Sequence, residues 1–347
     1  MIKETLEKRM HKLAGIQKEY EDDLFAKPNV IGVSIGNKIK KGVESEDPVI
    51  SVLVTHKVTD GLSDREMVTP KDVKEKAKTD VVEIGDIFAG GIDDPADLGI
   101  GDPVDLLEEQ DTEIIQIGSS PSLTRKMRPA MGGFSVGHYR VTAGTLGTGC
   151  YDLFPFPGIP MKFYILSNNH VLANSNQCRI GDPILQPGRI DGGKYPRDVI
   201  AKLSRYVPIR FVSGSSRPCN YVDAAIAEGN LQDINRQVYW GGHIKRLYTA
   251  PKLGDIVQKT GRTTGLTTGR VTNINATVLV NYGGGRVAKF CRQIITTAMS
   301  LGGDSGSLVT NLDEGAVGLL FAGSANRTIV NNIYFVQRFL RIRVTEK

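Results

Sequence analysis

The chain has 347 residues, of which 40% are hydrophobic and 23% charged, with a formal net charge of +5. This balance excludes a disordered chain, and no uninterrupted apolar window of about 18 residues exists that would cross a bilayer as a helix. The positive charge is dispersed, with no long Lys/Arg-rich block, so neither nucleic acid nor a membrane is expected as a partner. The first thirty residues carry charges throughout and lack an apolar h-region, which reads as a protein without a secretory leader and therefore cytoplasmic. Four cysteines, Cys150, Cys178, Cys219 and Cys291, form no CxxC pair and are expected as buried free thiols in a reducing compartment.

In chain order, Leu6, Met10, Leu13, Ile16, Tyr20 and Leu24 recur at spacings of three and four, predicting an amphipathic helix over 3–26 that Pro28 ends. This helix is expected to dock on its own domain, with self-association into a homo-oligomer as the alternative. The runs VIGVSIG (30–36) and PVISVLVTHKV (48–58) read as a hairpin, KDVKEKAKTD after Pro70 as a short helix, and Val81 to Ile87 as a third strand. Together they predict a small mixed α/β module. From Asp93 to Glu113 there are nine acidic residues and no basic one, broken by Pro95, Gly99, Gly101 and Pro103, a composition typical of a solvated linker, with a self-docking acidic segment that shields a basic cleft as the alternative. A boundary is placed near residue 125, giving domains 1–125 and 126–347. From Gly132 onward short β-rich runs such as FSVGHYRV, KFYILSNNHV, YVDAAIA, GRVTNINATVLVNY and AVGLLFAG alternate with Gly, Asn and Pro turns. That succession predicts a mainly β barrel or sandwich.

The segment LGGDSGSLV (301–309) carries the chemistry. Its glycines let the backbone aim the amides of Gly303 and Ser305 at one point, as an oxyanion hole requires, and Ser305 is the candidate nucleophile. A glycine-rich hairpin turn without chemistry is the alternative. A serine hydroxyl needs an adjacent base. Of the five histidines, His11, His56, His138 and His243 lie on the helix, in the N-terminal module, on an early strand and in a loop. His170, in SNNHVLA, ends the apolar strand KFYIL and would sit at a barrel rim. Asp223, in the apolar run NYVDAAIAE, is the candidate for orienting the imidazole, because a carboxylate in such a run needs a partner. Asp182 and Asp198 compete for that role. The order His, Asp, Ser, with no histidine after Ser305, excludes the Ser, Asp, His order of α/β-hydrolases.

HVLA, VDAAIA and GDSGS, separated by 53 and 82 residues, resemble the three motifs around the catalytic groups of trypsin-like serine proteases. AGTLGTGC (143–150), SNNHVLA, TGRTTGLTTGRV (260–271) and GGDSGSLV together resemble the bacterial trypsin-like peptidases related to the plant narrow-leaf protease. The resemblance covers residues 131–338. It implies a chymotrypsin-like double antiparallel β-barrel, here preceded by the α/β module with its leading helix, with the site in the cleft between barrels. It implies a serine endopeptidase acting on protein or peptide substrates without cofactor or metal, and a possible oligomer. It further implies that Met299, Ser300, Phe321, Ala322 and Gly323 line the substrate pocket, where the lack of a carboxylate favours a small or apolar side chain before the scissile bond. A protease-fold binding or self-processing protein with little turnover is the alternative. Two departures stand out: Asn169 replaces the usual alanine before the histidine, and Val171 replaces the usual cysteine after it, removing the disulfide that would pin that loop. What balances Asp304, which in secreted trypsins pairs with a new N-terminus, is open. GRTTG and YGGGR lack GK[ST] and a following helix, so they read as turns rather than phosphate loops. Trp240 reads as packing.

Overall fold

The computed structural model describes residues 6–40, 43–58, 77–90, 122–154, 160 and 162–345. The expected short helix after Pro70 falls mostly, and the acidic run wholly, outside them. The leading helix α1 spans Leu6–Phe25, and its Leu13, Leu24 and Phe25 pack against Val33, Ile35, Ile50 and Val52. Those belong to strands β1 (Val30–Lys40) and β2 (Val43–Val54), an antiparallel hairpin. Strand β3 (Thr79–Glu83) lies parallel to β2, and the two-residue strand β4 (Phe88–Ala89) follows.

The C-terminal half of the chain forms a closed antiparallel ring. Its order is Val287–Thr297, Arg327–Asn332, Gly315–Gly323, Leu308–Asn311, Ile256–Gly261 and Gly265–Asn281, which pairs back to Val287–Thr297. Closure removes the exposed edges that such strands would otherwise present. The N-terminal module joins this barrel, because β1 pairs antiparallel with the long strand Gly265–Asn281. That junction is irregular: register shifts occur between Val33 and Ile35 and between Asn273 and Ala276, and Asn275 has a φ of 51°. A bulge leaves backbone groups without ladder partners, and a buried one must find another. Gln17 of α1, itself buried, supplies it. Its amide donates to the carbonyls of Val33 (3.1 Å) and Asn275 (2.9 Å), and its oxygen accepts from the Asn275 side chain (3.0 Å).

The other barrel is an eight-stranded sheet running Ile342–Arg343, Thr148–Asp152, Phe163–Ser167, Ala225–Gly229, Val199–Tyr206, Pro183–Leu185, Ser135–His138 and Gly144–Thr145. Its core is apolar, with Val136, Leu146, Ile165, Leu172, Ile184, Leu203 and Ala225 fully enclosed. The helix Ile333–Leu340 leaves the ring and delivers Ile342–Arg343 to this sheet. Leu166 and Ile226 from one barrel, Leu308 and Leu319 from the other, and Ile333 and Leu340 of the helix share a single core cluster. The fold is thus the double antiparallel β-barrel with a leading helix. Among the described residues no helix is long and apolar enough to cross a membrane.

Three sequence expectations change. Cys219 and Cys291 are joined in a disulfide with Cα atoms 5.8 Å apart, so free thiols remain only at Cys150 and Cys178. The pairing is between segments 72 residues apart that the fold brings side by side, since Cys219–Asn220 lies parallel to Lys289–Phe290. Cys150 is fully buried, which pushes its thiol up to about 12 and keeps it inert. Trp240 is 45% exposed with a φ of 60°, tilted against Tyr239 rather than enclosed in a core. The strand expected at Val81 to Ile87 ends at Glu83; beyond it Gly85, with φ 69°, turns the chain.

Candidate active site

His170 lies in the short helical turn Asn169–Leu172, immediately after the strand Phe163–Ser167. The two asparagines before it fix that turn. Asn168 donates its side-chain amide to the Asp223 carbonyl (2.7 Å) and Asn169 to the Val207 carbonyl (2.7 Å) and Asn176 Oδ1 (2.8 Å). In return Asn169 Oδ1 accepts from the Asn176 amide (3.0 Å), while Asn176 bonds both backbone groups of Ile209. Asn174, Ser175 and Asn176 all have positive φ, a conformation that asparagine tolerates better than most residues. This asparagine network pins the loop that has no disulfide, and it accounts for Asn169 at that position.

Asp223 is fully buried and richly hydrogen-bonded. Its Oδ1 accepts from the His170 amide (3.2 Å), and its Oδ2 from His170 Nδ1 (2.7 Å) and the Tyr282 hydroxyl (2.6 Å). Its own amide donates to Asn331 Oδ1 (2.9 Å), which is held in turn by Gln293 (2.7 Å). A carboxylate facing Nδ1 requires the proton there, leaving Nε2 as a lone pair; that atom has no hydrogen-bond partner among the described residues. Burial first, and the Asp223 charge second, hold the Tyr282 hydroxyl well above its usual range, so it stays a neutral donor. The competing carboxylates are engaged elsewhere. Asp182 faces His138 Nε2 (3.0 Å), whose Nδ1 accepts from the Arg140 amide (3.2 Å), a fully satisfied core histidine. Asp198 takes Arg197 and Lys126.

Ser305 is 2% exposed, and its Oγ donates to the Phe321 carbonyl at 3.3 Å. The turn that carries it is clamped by the strand Gly144–Thr145 of the other barrel. Thr145 donates its amide to the Ser305 carbonyl (2.7 Å) and its hydroxyl to the Gly303 carbonyl (2.9 Å). Glycine is required on both sides of the clamp. Gly303 and Gly306 have φ of 88° and 96°, and a Cβ on Gly306 would lie 2.0 Å from Ser167 Oγ and 2.2 Å from the Thr145 carbonyl.

Asp304 is balanced internally. Lys259 Nζ lies 3.1 Å from its Oδ2, with both side chains inaccessible. The GRTTG turn adds the amides of Thr263 (3.0 Å) and Thr264 (3.2 Å) on Oδ1 and the Thr264 hydroxyl (2.6 Å) on Oδ2. That turn does bind an anion, but the anion is the chain's own carboxylate. Desolvation lowers the Lys259 ammonium, and the Asp304 charge opposes it. Neither Lys259 nor Tyr282 is marked in the sequence: one is a lysine within the strand IVQKTG, the other the last residue before three glycines. Of the expected pocket residues, Met299 is wholly enclosed among Val257, Val271 and Val309. The Phe321 ring packs on Phe290, Ala322 is 1% exposed, and Ser300 pairs with Thr328 (2.7 Å). What Phe321, Ala322 and Gly323 present is therefore their backbone edge.

Comparison with known proteins gives two curated relatives. The chain is 39% identical over 101 residues to glutamyl endopeptidase 2 of Streptomyces griseus, and 45% identical over 117 residues to serine protease 2 of Streptomyces fradiae. These stretches span 29% and 33% of this chain but 44% and 64% of those relatives. No family model matches. Among solved structures, a glutamic-acid-specific serine protease is 21% identical with a TM-score of 0.43, covering 61% of this chain and 98% of that one. Protease A of Thermobifida fusca is 15% identical with a TM-score of 0.42, covering 62% and 97%. Over about a third of its length, the chain therefore resembles bacterial serine proteases.

Proposed function

We propose that the chain is a serine endopeptidase that hydrolyses peptide bonds through an acyl-enzyme. The observation that carries this is Asp223: a buried carboxylate that receives the His170 amide, His170 Nδ1 and the Tyr282 hydroxyl and so leaves Nε2 as a base. Ser305 Oγ attacks the scissile carbonyl carbon while Nε2 takes its proton. The amides of Gly303 and Ser305 hold the developing oxyanion. As the C–N bond breaks, His170 returns the proton to the leaving amine, and water then hydrolyses the ester by the same proton route. The Lys259–Asp304 pair supports a pre-formed turn that needs no new N-terminus.

Prolonged incubation with a fluorophosphonate probe is expected to modify Ser305, with peptide-ester and peptide-amide turnover in the same preparation. Ser305→Ala and His170→Ala are each expected to lose about 10⁴-fold or more in kcat. A folded chain that stays unmodified at Ser305 would overturn the assignment.

A further inference from the structure

The strand edge beside Ser305 is paired with another stretch of the chain's own backbone. After Glu83 the backbone runs along the second barrel with Ile84 and Ile87 sunk among Phe290, Phe321 and Val280, at 1% and 2% exposed. The segment is held from both sides. On one, the Asn281 amide donates to the Ile87 carbonyl (2.8 Å). On the other, β4 pairs antiparallel with the expected substrate edge, Ala89 opposite Ala322 and Phe88 opposite Gly323. The Gly90 amide donates to the Phe321 carbonyl (3.2 Å), and the Gly90 carbonyl accepts from the Gly303 amide (3.2 Å). The Gly303 amide is one of the two groups the proposed reaction needs for its oxyanion, so an incoming scissile carbonyl and Gly90 compete for one donor.

We infer that Phe88–Gly90 is a built-in competitive inhibitor seated in the substrate's place, an inference that rests on the serine-protease reading of the site. The segment adds a strand to a sheet edge by main-chain bonds, the general way an extended peptide is captured. Being tethered at Ile84 and Ile87, it binds at a high effective concentration. Two features make it an inhibitor rather than a substrate. Gly90 has a φ of 86°, a left-handed conformation open to glycine but strained for other residues and unlike the extended backbone of a strand-paired substrate. Ser305 Oγ meanwhile bonds the Phe321 carbonyl and His170 Nε2 has no partner, so the nucleophile is not engaged with its base. The glycine whose carbonyl meets the Gly303 amide also indicates a cleft that accepts a minimal side chain there.

Gly90→Pro tests this on the full chain, since proline removes the donor to Phe321 and cannot adopt a φ of 86°; Phe88→Asp is the second variant, leaving the backbone unchanged. With a peptide ester ending in Ala-Gly, each folded variant is expected to lower KM about tenfold or more with kcat unchanged, the pattern of lost intramolecular competition. The rate of fluorophosphonate modification of Ser305 should rise by the same factor. The free acid Phe-Ala-Gly should inhibit the variants competitively and the parent chain less. If the parent chain turns over with the same KM and is modified at the same rate as both folded variants, the inhibitor is refuted while the protease reading stands. If parent and variants alike show neither turnover nor modification, both fall together. Intact-mass detection of a cut after Gly90 would make the segment a substrate and overturn the inhibitor assignment.

Discussion

At the scale of single residues, the site depends on two side chains that act through others. Tyr282 gives the Asp223 carboxylate a third donor from within the barrel, and its hydroxyl cannot ionise there at ordinary pH. It positions the His–Asp pair without reaching the reacting atoms. Tyr282→Phe removes one charge-assisted hydrogen bond, and kcat should fall roughly 10- to 100-fold with KM unchanged; a KM change of the same size would make Tyr282 a substrate-binding residue instead. Lys259 and Asp304 form a different kind of pair, two inaccessible opposite charges. Lys259→Met strands the carboxylate and should cost about 3–5 kcal/mol in urea unfolding. The double variant Lys259→Met/Asp304→Asn should recover much of that loss, and an additive double variant would show that the two do not interact.

At the scale of elements, the decisive contact is between α1 and the bulged junction of β1 with Gly265–Asn281. The helix buries few large side chains, so its register on the sheet is set by Gln17 as much as by Leu13, Leu24 and Phe25. Gln17→Leu keeps the volume and leaves the Val33 and Asn275 carbonyls buried without a donor. Thermal and urea unfolding should show a loss of about 1–3 kcal/mol; Gln17→Glu, which offers no amide, should do no better. Unchanged stability in Gln17→Leu would show that the bulge is satisfied without the helix.

At the scale of the whole molecule, the two barrels are bound by a shared core, by the Thr145 clamp and by the cluster around the helix Ile333–Leu340. The Cys219–Cys291 bridge adds a covalent link across 72 residues of chain. A loop of that length corresponds to about 4 kcal/mol in the chain-entropy account. Reducing agent, or Cys219→Ser, should therefore lower the urea midpoint by a corresponding amount, and non-reducing peptide mapping should recover the linked pair. Four free thiols, counted after unfolding without reductant, would refute the bridge, which leaves only Cys150 and Cys178 free.

The sequence alone determined the parts governed by local chemistry. Alternating short runs and turn residues declare a β-barrel chain, α1 shows its spacing, and Gly-Asp-Ser-Gly, Asn-Asn-His and an aspartate in an apolar run each state a chemical need that a single segment can express. Asp223 was separable from Asp182 and Asp198 only by its surroundings, and the fold shows why: the other two already serve His138, Arg197 and Lys126. What tertiary structure decided is everything that requires two distant segments to meet. Tyr282 reaches Asp223 across 59 residues, Lys259 reaches Asp304 across 45, and the cysteines meet only because their strands pair. Above all, the two-residue strand β4, far from Ser305 in sequence, comes to pair with Ala322 and Gly323. No local pattern records such meetings, because backbone hydrogen bonds between strands carry no side-chain code and their register is fixed by the closed barrel as a whole.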